Sequence, residues 1–192
     1  MGLTLITPPS IVPVSLLTLR RQLNIADDDT THDARLSAMA SDAAEYVERH
    51  TRRAMITQTY EFTTNWRKQI EIPRPPLQSV TYVRVTDIDG EETALASDKY
   101  EVVTGRFPGV IIMPDEMPSL RDFEPVRIRF VAGYGTTEAS VPAPMREIIA
   151  RIVTFYFEPG RGDINMPMPQ HIKDALRGMA SGMKSGFFRG AV

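Results

Sequence analysis

The sequence predicts an α+β fold: a helical bundle carrying an inserted small antiparallel β region, followed by a glycine-rich C-terminal tail. Three observations predict it. Apolar residues recur at helical spacing near 14–24, 33–50 and 142–158. Between about 57 and 131 the period shortens to two, and from 159 onward the composition changes. The expected organisation is an extended N-terminal arm over 1–13, a main domain over 14–158 with the β insertion at 57–131, and a tail over 159–192.

The arm, MGLTLITPPSIVP, carries Pro8, Pro9 and Pro13, which argue for extended chain. Leu16, Leu19 and Leu23 then mark a first helix, with Arg20, Arg21 and Gln22 between them. After the acidic turn Asp27-Asp28-Asp29, Thr30 and Asp33 have the spacing of a capping box for a second helix. Its stripe is Leu36, Met39, Ala40, Ala43, Val47 and His50, with Asp42, Glu45, Glu48 and Arg49 mostly off it.

Residues 57–65 are rich in threonine and aromatics, and Trp66 ends them. Pro73-Arg74-Pro75-Pro76 stops any regular element. Residues 78–88 read as a strand closed by an Asp89-Gly90 turn, and short strands are expected at 98–103 and 109–113. Val126, Ile128 and Phe130 alternate with Arg127 and Arg129, as in a strand with one buried face. Met145, Ile148, Ile149, Ile152, Val153 and Tyr156 form the stripe of the third helix.

Composition limits function. The chain has 192 residues, a net charge of −2, 42% hydrophobic residues and no cysteine. It therefore lacks the overall basic field of a general nucleic-acid binder, and it can have no disulfide, thiolate metal site or cysteine nucleophile. His32, His50 and His171 are far apart in sequence, so neither a metal nor a cofactor is expected. No stretch approaches the ~18 apolar residues of a membrane helix, so no membrane partner is expected. The first residues lack the basic start of a secretory signal, and Ile6 stands where a myristoylation motif has Ser or Thr. Synthesis in the cytosol is the expectation.

Catalytic motifs fail one by one. Asp87-Ile88-Asp89-Gly90 lacks the later ligands of a calcium loop and reads as a hairpin turn. Gly133-Tyr134-Gly135 has no following lysine and reads as a tight turn. His32-Asp33 with Ser37 and Ser41 reads as a polar helix start, and Arg161-Gly162-Asp163 is a tripeptide of a kind common by chance. No catalytic residue is assigned, and no enzyme is expected.

The tail is the most informative local feature. Residues 160–192 hold six of the twelve glycines and five basic against two acidic residues. Gly178, Gly182, Gly186 and Gly190 recur every fourth residue beside Ile172, Leu176, Met179, Met183 and Phe187. On a helix the glycines would form a smooth face open to another backbone. Each interior glycine costs about 1 kcal/mol of helix stability, so the helix would need a partner. The tail is either such a docking helix or a flexible extension; both place it outside the central core.

Four stretches in order resemble the head–tail connector (adaptor, or head-completion) family of tailed bacteriophages, found also in phage-derived gene transfer agents. They are SLLTLRRQLNI at 15–25, AAEYVERHTRRAM at 43–55, IPRPPLQSVTYVRVTDIDG at 72–90 and VRIRFVAGYGTTEASVPAPMREIIARIVTFYFE at 126–158. The resemblance covers about 14–158; the long tail after Glu158 departs from it. It implies a structural virion protein made in the bacterial cytoplasm and assembled at the head–tail interface. Such proteins form a ring, commonly of twelve copies, below the portal protein. The ring extends the channel for DNA packaging and ejection, and DNA passes without specific binding. It also offers a docking surface to a tail-side completion, stopper or terminator protein.

Within that picture, Ile172, Leu176, Gly178, Met179, Gly182, Met183, Gly186, Phe187 and Phe188 are the candidate interface to the portal or an adjacent subunit. The alternative reading is a small carbohydrate- or peptide-binding β module with helical ends, using Tyr60, Phe62, Trp66 and Tyr82. At strand spacing those aromatics are more often core.

Overall fold

The computed structural model describes residues 1–115, 119–157 and 167–184, with backbone alone for 181–184. It is α+β, and the chain divides into two units: Met1–Pro9 with Thr57–Gly133, and Ser10–Ile56 with Tyr134–Val192.

Among the described residues, the first unit is built from eight strands: β1 (Gly2–Thr7), β2 (Gln58–Thr64), β3 (Gln69–Glu71), β4 (Leu77–Thr86), β5 (Glu92–Ala94), β6 (Glu101–Val103), β7 (Val110–Ile112) and β8 (Val126–Ala132). They form a five-stranded sheet, β1-β2-β8-β4-β5, and a three-stranded sheet, β3-β7-β6, antiparallel throughout. The period-two pattern explains the layering. Tyr60 and Phe62 of β2 and Val126, Ile128 and Phe130 of β8 are buried, while Glu61, Arg127 and Arg129 between them are not. Tyr60 stacks on Phe130 at 5.6 Å. Ile70, Ile72, Val110, Ile111 and Met113, in and beside the smaller sheet, are buried too. Gly109 has no room for a side chain, because a Cβ there would lie 2.6 Å from Leu77 Cβ.

The arm is a strand. Gly2–Thr7 pairs along β2 with Leu3 opposite Phe62 and Leu5 opposite Tyr60, which makes it an edge of the larger sheet. Asp89-Gly90 forms the expected turn: Gly90 has φ +87°, and the Asp87 carboxylate accepts from the amides of Asp89 and Glu91. Asp87 is thereby used in shaping the backbone.

Among the described residues, the second unit packs four α-helices: α1 (Leu16–Gln22), α2 (Asp33–Thr51), α3 (Ala143–Phe157) and α4 (Gln170–Lys184). Leu19, Leu36, Ala40, Ala43 and Val47 meet Met145, Ile149, Ile152 and Val153 in one core. Ser15 caps α1 by accepting from the Thr18 amide. The Thr30–Asp33 box does not form: His32 is the cap residue of α2 and makes no side-chain cap bond. Asp33 instead receives two guanidinium bonds from Arg20, whose third nitrogen donates to the Asp27 carbonyl at 2.6 Å. A tertiary ion pair thus fixes the α1–α2 turn, and it holds the Arg20 guanidinium above its ordinary value. His50 is exposed, its ring nitrogen 2.9 Å from the Tyr46 carbonyl.

The expectation that the tail lies outside the core is overturned where α4 forms. Ile172, Leu176 and Met179 of α4 are 2%, 2% and 7% exposed and belong to the same core as α2 and α3. Their spacing of four and three puts them on one helix face. Gly178 is exposed with open space around it, so this glycine does not face the core and weakens α4 without preventing its packing.

Candidate assembly surface

Among the described residues, no cluster of His, Cys, Asp or Glu is placed to hold a metal ion, and no helix is long and apolar enough to cross a membrane. His32 is exposed and packs edge-on against Phe157 at 5.4 Å, with Ser37 and Ser41 also exposed and Asp33 committed to Arg20. A hollow of about 200 Å³ between α1 and α3 is lined by Val14, Thr18, Gln22, Ala143, Arg146 and Glu147 among others. It contains no histidine, and its Glu147 is paired with Arg151 at 2.9 Å. Arg161-Gly162-Asp163 lies outside the described residues.

The four aromatics of the binding-module reading do not converge. Tyr60 and Phe62 are core. Tyr82 lies on the opposite, solvent-facing side of the larger sheet, and Trp66 lies beyond the end of β2.

That solvent-facing side carries an ordered charge network. Across β2, β8 and β4, Glu61 lies opposite Arg129, which lies opposite Tyr82. Glu61 accepts from the Tyr82 hydroxyl at 2.5 Å and from Arg129 at 2.9 Å. Arg84 stands over the Tyr82 ring at 4.4 Å and pairs with Glu92 at 3.6 Å, and Arg127 reaches Glu92 at 3.4 Å. The Tyr82 hydroxyl, aided by Arg129 and Arg127, holds Glu61 below the ordinary carboxylate range despite its partial burial. Burial first, then the hydrogen bond to Glu61 and its charge, pushes the Tyr82 phenol up. Each side chain of the network has at least one partner, although the buried Arg129 Nε makes no hydrogen bond, so the network stiffens the sheet and its carboxylates and phenol are all engaged.

The apolar surface lies at one end of the same sheet. The segment over 119–125 crosses that end and is pinned at both sides. Ile88 donates its amide to the Ser119 carbonyl, Arg121 to that of Thr86, and Thr86 to that of Pro125. On the other side, the Glu124 amide donates to Asn65 Oδ1, and the Glu124 carboxylate accepts from Thr63 and from the Met1 amino group. Four large apolar side chains project from this braced tip: Met1 at 72% exposure, Ile88 and Phe123 at 71% each, and Trp66 at 38%. Isolated exposed apolar residues need no explanation, but four at one braced end of a sheet make that end a candidate contact surface. Sequence reading missed it, although Asp-Ile-Asp-Gly at 87–90 and Asp-Phe-Glu at 122–124 each place a bulky apolar residue inside a polar turn, where local folding gives it nothing to do.

The candidate tail residues separate into three groups. Ile172, Leu176 and Met179 are buried in the chain's own core, and Gly178 is exposed. Gly182 and Met183 lie in the last turn of α4. Gly186, Phe187 and Phe188 lie outside the described residues.

No protein-family model matches the sequence, and no curated protein matches it. Solved structures do. The chain is similar in fold to a chain of the virion of a native gene transfer agent (GTA) particle, at 21% identity and TM-score 0.73, over 93% of this chain and 95% of that one. It is also similar to one in the neck of an empty GTA particle computed with C6 symmetry, at 22% identity, TM-score 0.72 and the same coverage. A third, in the neck of a native GTA particle computed with C12 symmetry, matches at 23% identity and TM-score 0.68, over 93% and 94%.

Proposed function

We propose that this chain is a structural protein of the neck of a phage or phage-like particle, a head–tail connector that assembles into a ring of identical copies. One observation carries the reading. The chain follows a fold found in particle necks over nearly the whole length of each chain compared. On this reading the ring holds twelve copies and sits below the portal protein. It continues the DNA channel and presents a docking surface to the tail-side completion, stopper or terminator protein. Residues 160–192 contribute five of the chain's basic side chains and two of its acidic ones, so the remainder is net acidic. A net-acidic body suits a channel through which DNA slides without being held. Phe187 and Phe188 anchor the end of the tail on the portal or on the adjacent subunit.

The role is mechanical and involves no chemical step. Deleting the gene should yield filled heads and separate tails, and necks purified from wild-type particles should contain the chain in a fixed ratio to the portal. Normal particles from the deletion strain would end the proposal.

A further inference from the structure

A cyclic ring of identical copies is held by two different surfaces per subunit, one meeting the other on the next copy. Given the ring reading above, the braced sheet tip supplies one of them. We propose that the tip formed by Ile88, Phe123, Trp66 and Met1 receives the Phe187-Phe188-Arg189 segment of an adjacent copy.

The chemistry of the two surfaces is complementary. The tip is apolar and net acidic: Asp87, Asp89, Glu91, Asp122 and Glu124 outnumber Arg67, Arg121 and the Met1 amino group, which Glu124 already pairs. The segment beyond α4, SGFFRGAV, joins two adjacent aromatics to Arg189, follows Lys184 directly and contains no Asp or Glu. Aromatic anchors seated in an apolar patch and ringed by opposite charge are the arrangement that concentrates binding energy at an interface.

The point of departure also fits. Burial of Ile172, Leu176 and Met179 fixes α4 to its own subunit, and Phe188, four residues after Lys184, can stand up to ~14 Å from the end of that helix. The donor therefore remains anchored to one copy, and its short reach selects a tip on a copy packed directly beside it. The glycines on either side of the aromatic pair, Gly186 and Gly190, leave its backbone free to adopt the shape the tip requires. The acceptor is ready without reorganisation, because hydrogen bonds at the ends of β4 and β2 hold the 119–125 segment from both sides.

The absence of cysteine makes the test direct. Full-length Ile88→Cys and Phe188→Cys chains, one carrying a mass tag, are co-expressed, assembled and oxidised. The expected product is a disulfide between tagged and untagged chains, and Phe123→Ser in the Ile88→Cys chain should suppress it. Asp42→Cys, on the exposed side of α2, replaces Ile88→Cys as the reference and should give none. Because Ile88 and Phe123 are each 71% exposed, neither change threatens folding. As a second readout, Phe123→Ser and Phe187→Ser should each weaken subunit association ~10-fold or more. The double variant should be no weaker than the worse single one.

Crosslinking equal to that of Asp42→Cys, capture of the Phe188→Cys chain by a different neck protein, or full additivity of the two serine variants would each overturn the tip-to-tail contact. All three outcomes can occur with rings still present by sedimentation, so they leave the ring reading standing. Absence of any ring sinks both.

Discussion

Leu176 offers the sharpest test of how the helical unit is built. Its side chain is 2% exposed at the centre of the α4 stripe, between Ile172 and Met179. Leu176→Ala removes most of that side chain from a packed core, a change that costs about 2–5 kcal/mol, with the larger values where the cavity cannot collapse. α4 contributes only a few buried side chains and carries glycines at 178 and 182, so the loss falls mainly on its own attachment to α2 and α3. With a urea slope of about 1–3 kcal/mol/M, the unfolding midpoint should drop by roughly 1 M or more. Hydrogen exchange should show α4 amides opening before those of α2 and α3. Arg177→Ala, one residue along on the exposed side, should stay within about 0.5 kcal/mol of the parent. A Leu176→Ala midpoint equal to that of Arg177→Ala, with α4 amides already unprotected in the parent, would refute the placement of α4 in the core.

Other substitutions test separate parts of the account. Gly178→Ala fills open space on an exposed helix position and should stabilise α4 by about 0.5–1 kcal/mol, read from the same urea curves. Gly109→Ala should cost about 1–3 kcal/mol, because the new Cβ meets Leu77 and the two sheets have no slack there. Glu61 ionises below the ordinary carboxylate range in the folded chain, so its contribution is present above that range and lost as pH falls through the folded value. Glu61→Gln should therefore be less stable than the parent at neutral pH, and the gap should close as pH falls through and below the ordinary carboxylate range. A gap that stays constant with pH would remove Glu61 from the network.

What could be read in the sequence follows from the range of the interactions involved. α2, α3 and β8 declare themselves because each buries one face and the pattern repeats within the segment. β1 does not, since GLTLIT owes its strand state to β2, more than fifty residues away, and no local signal encodes that pairing. β3 and β5, of three residues each, are too short to show a period. The expected capping box gives way to Arg20–Asp33, a tertiary contact that outcompetes a local one. In the tail, glycine spacing points away from the core, whereas Ile172, Leu176 and Met179 carry core spacing in the same stretch, and burial of those three decides the outcome. The sheet tip is invisible in the sequence because its members, Met1, Trp66, Ile88 and Phe123, lie in four separate turns or ends that only the folded sheet brings together.

An electron cryomicroscopy map of the neck of the particle that encodes this chain tests the central claim most directly. The account predicts a closed ring of identical subunits between portal and tail, each fitted by the four-helix unit and the two-sheet unit described above. A neck whose density at that level is filled by another fold, with this chain absent from the particle, would contradict it.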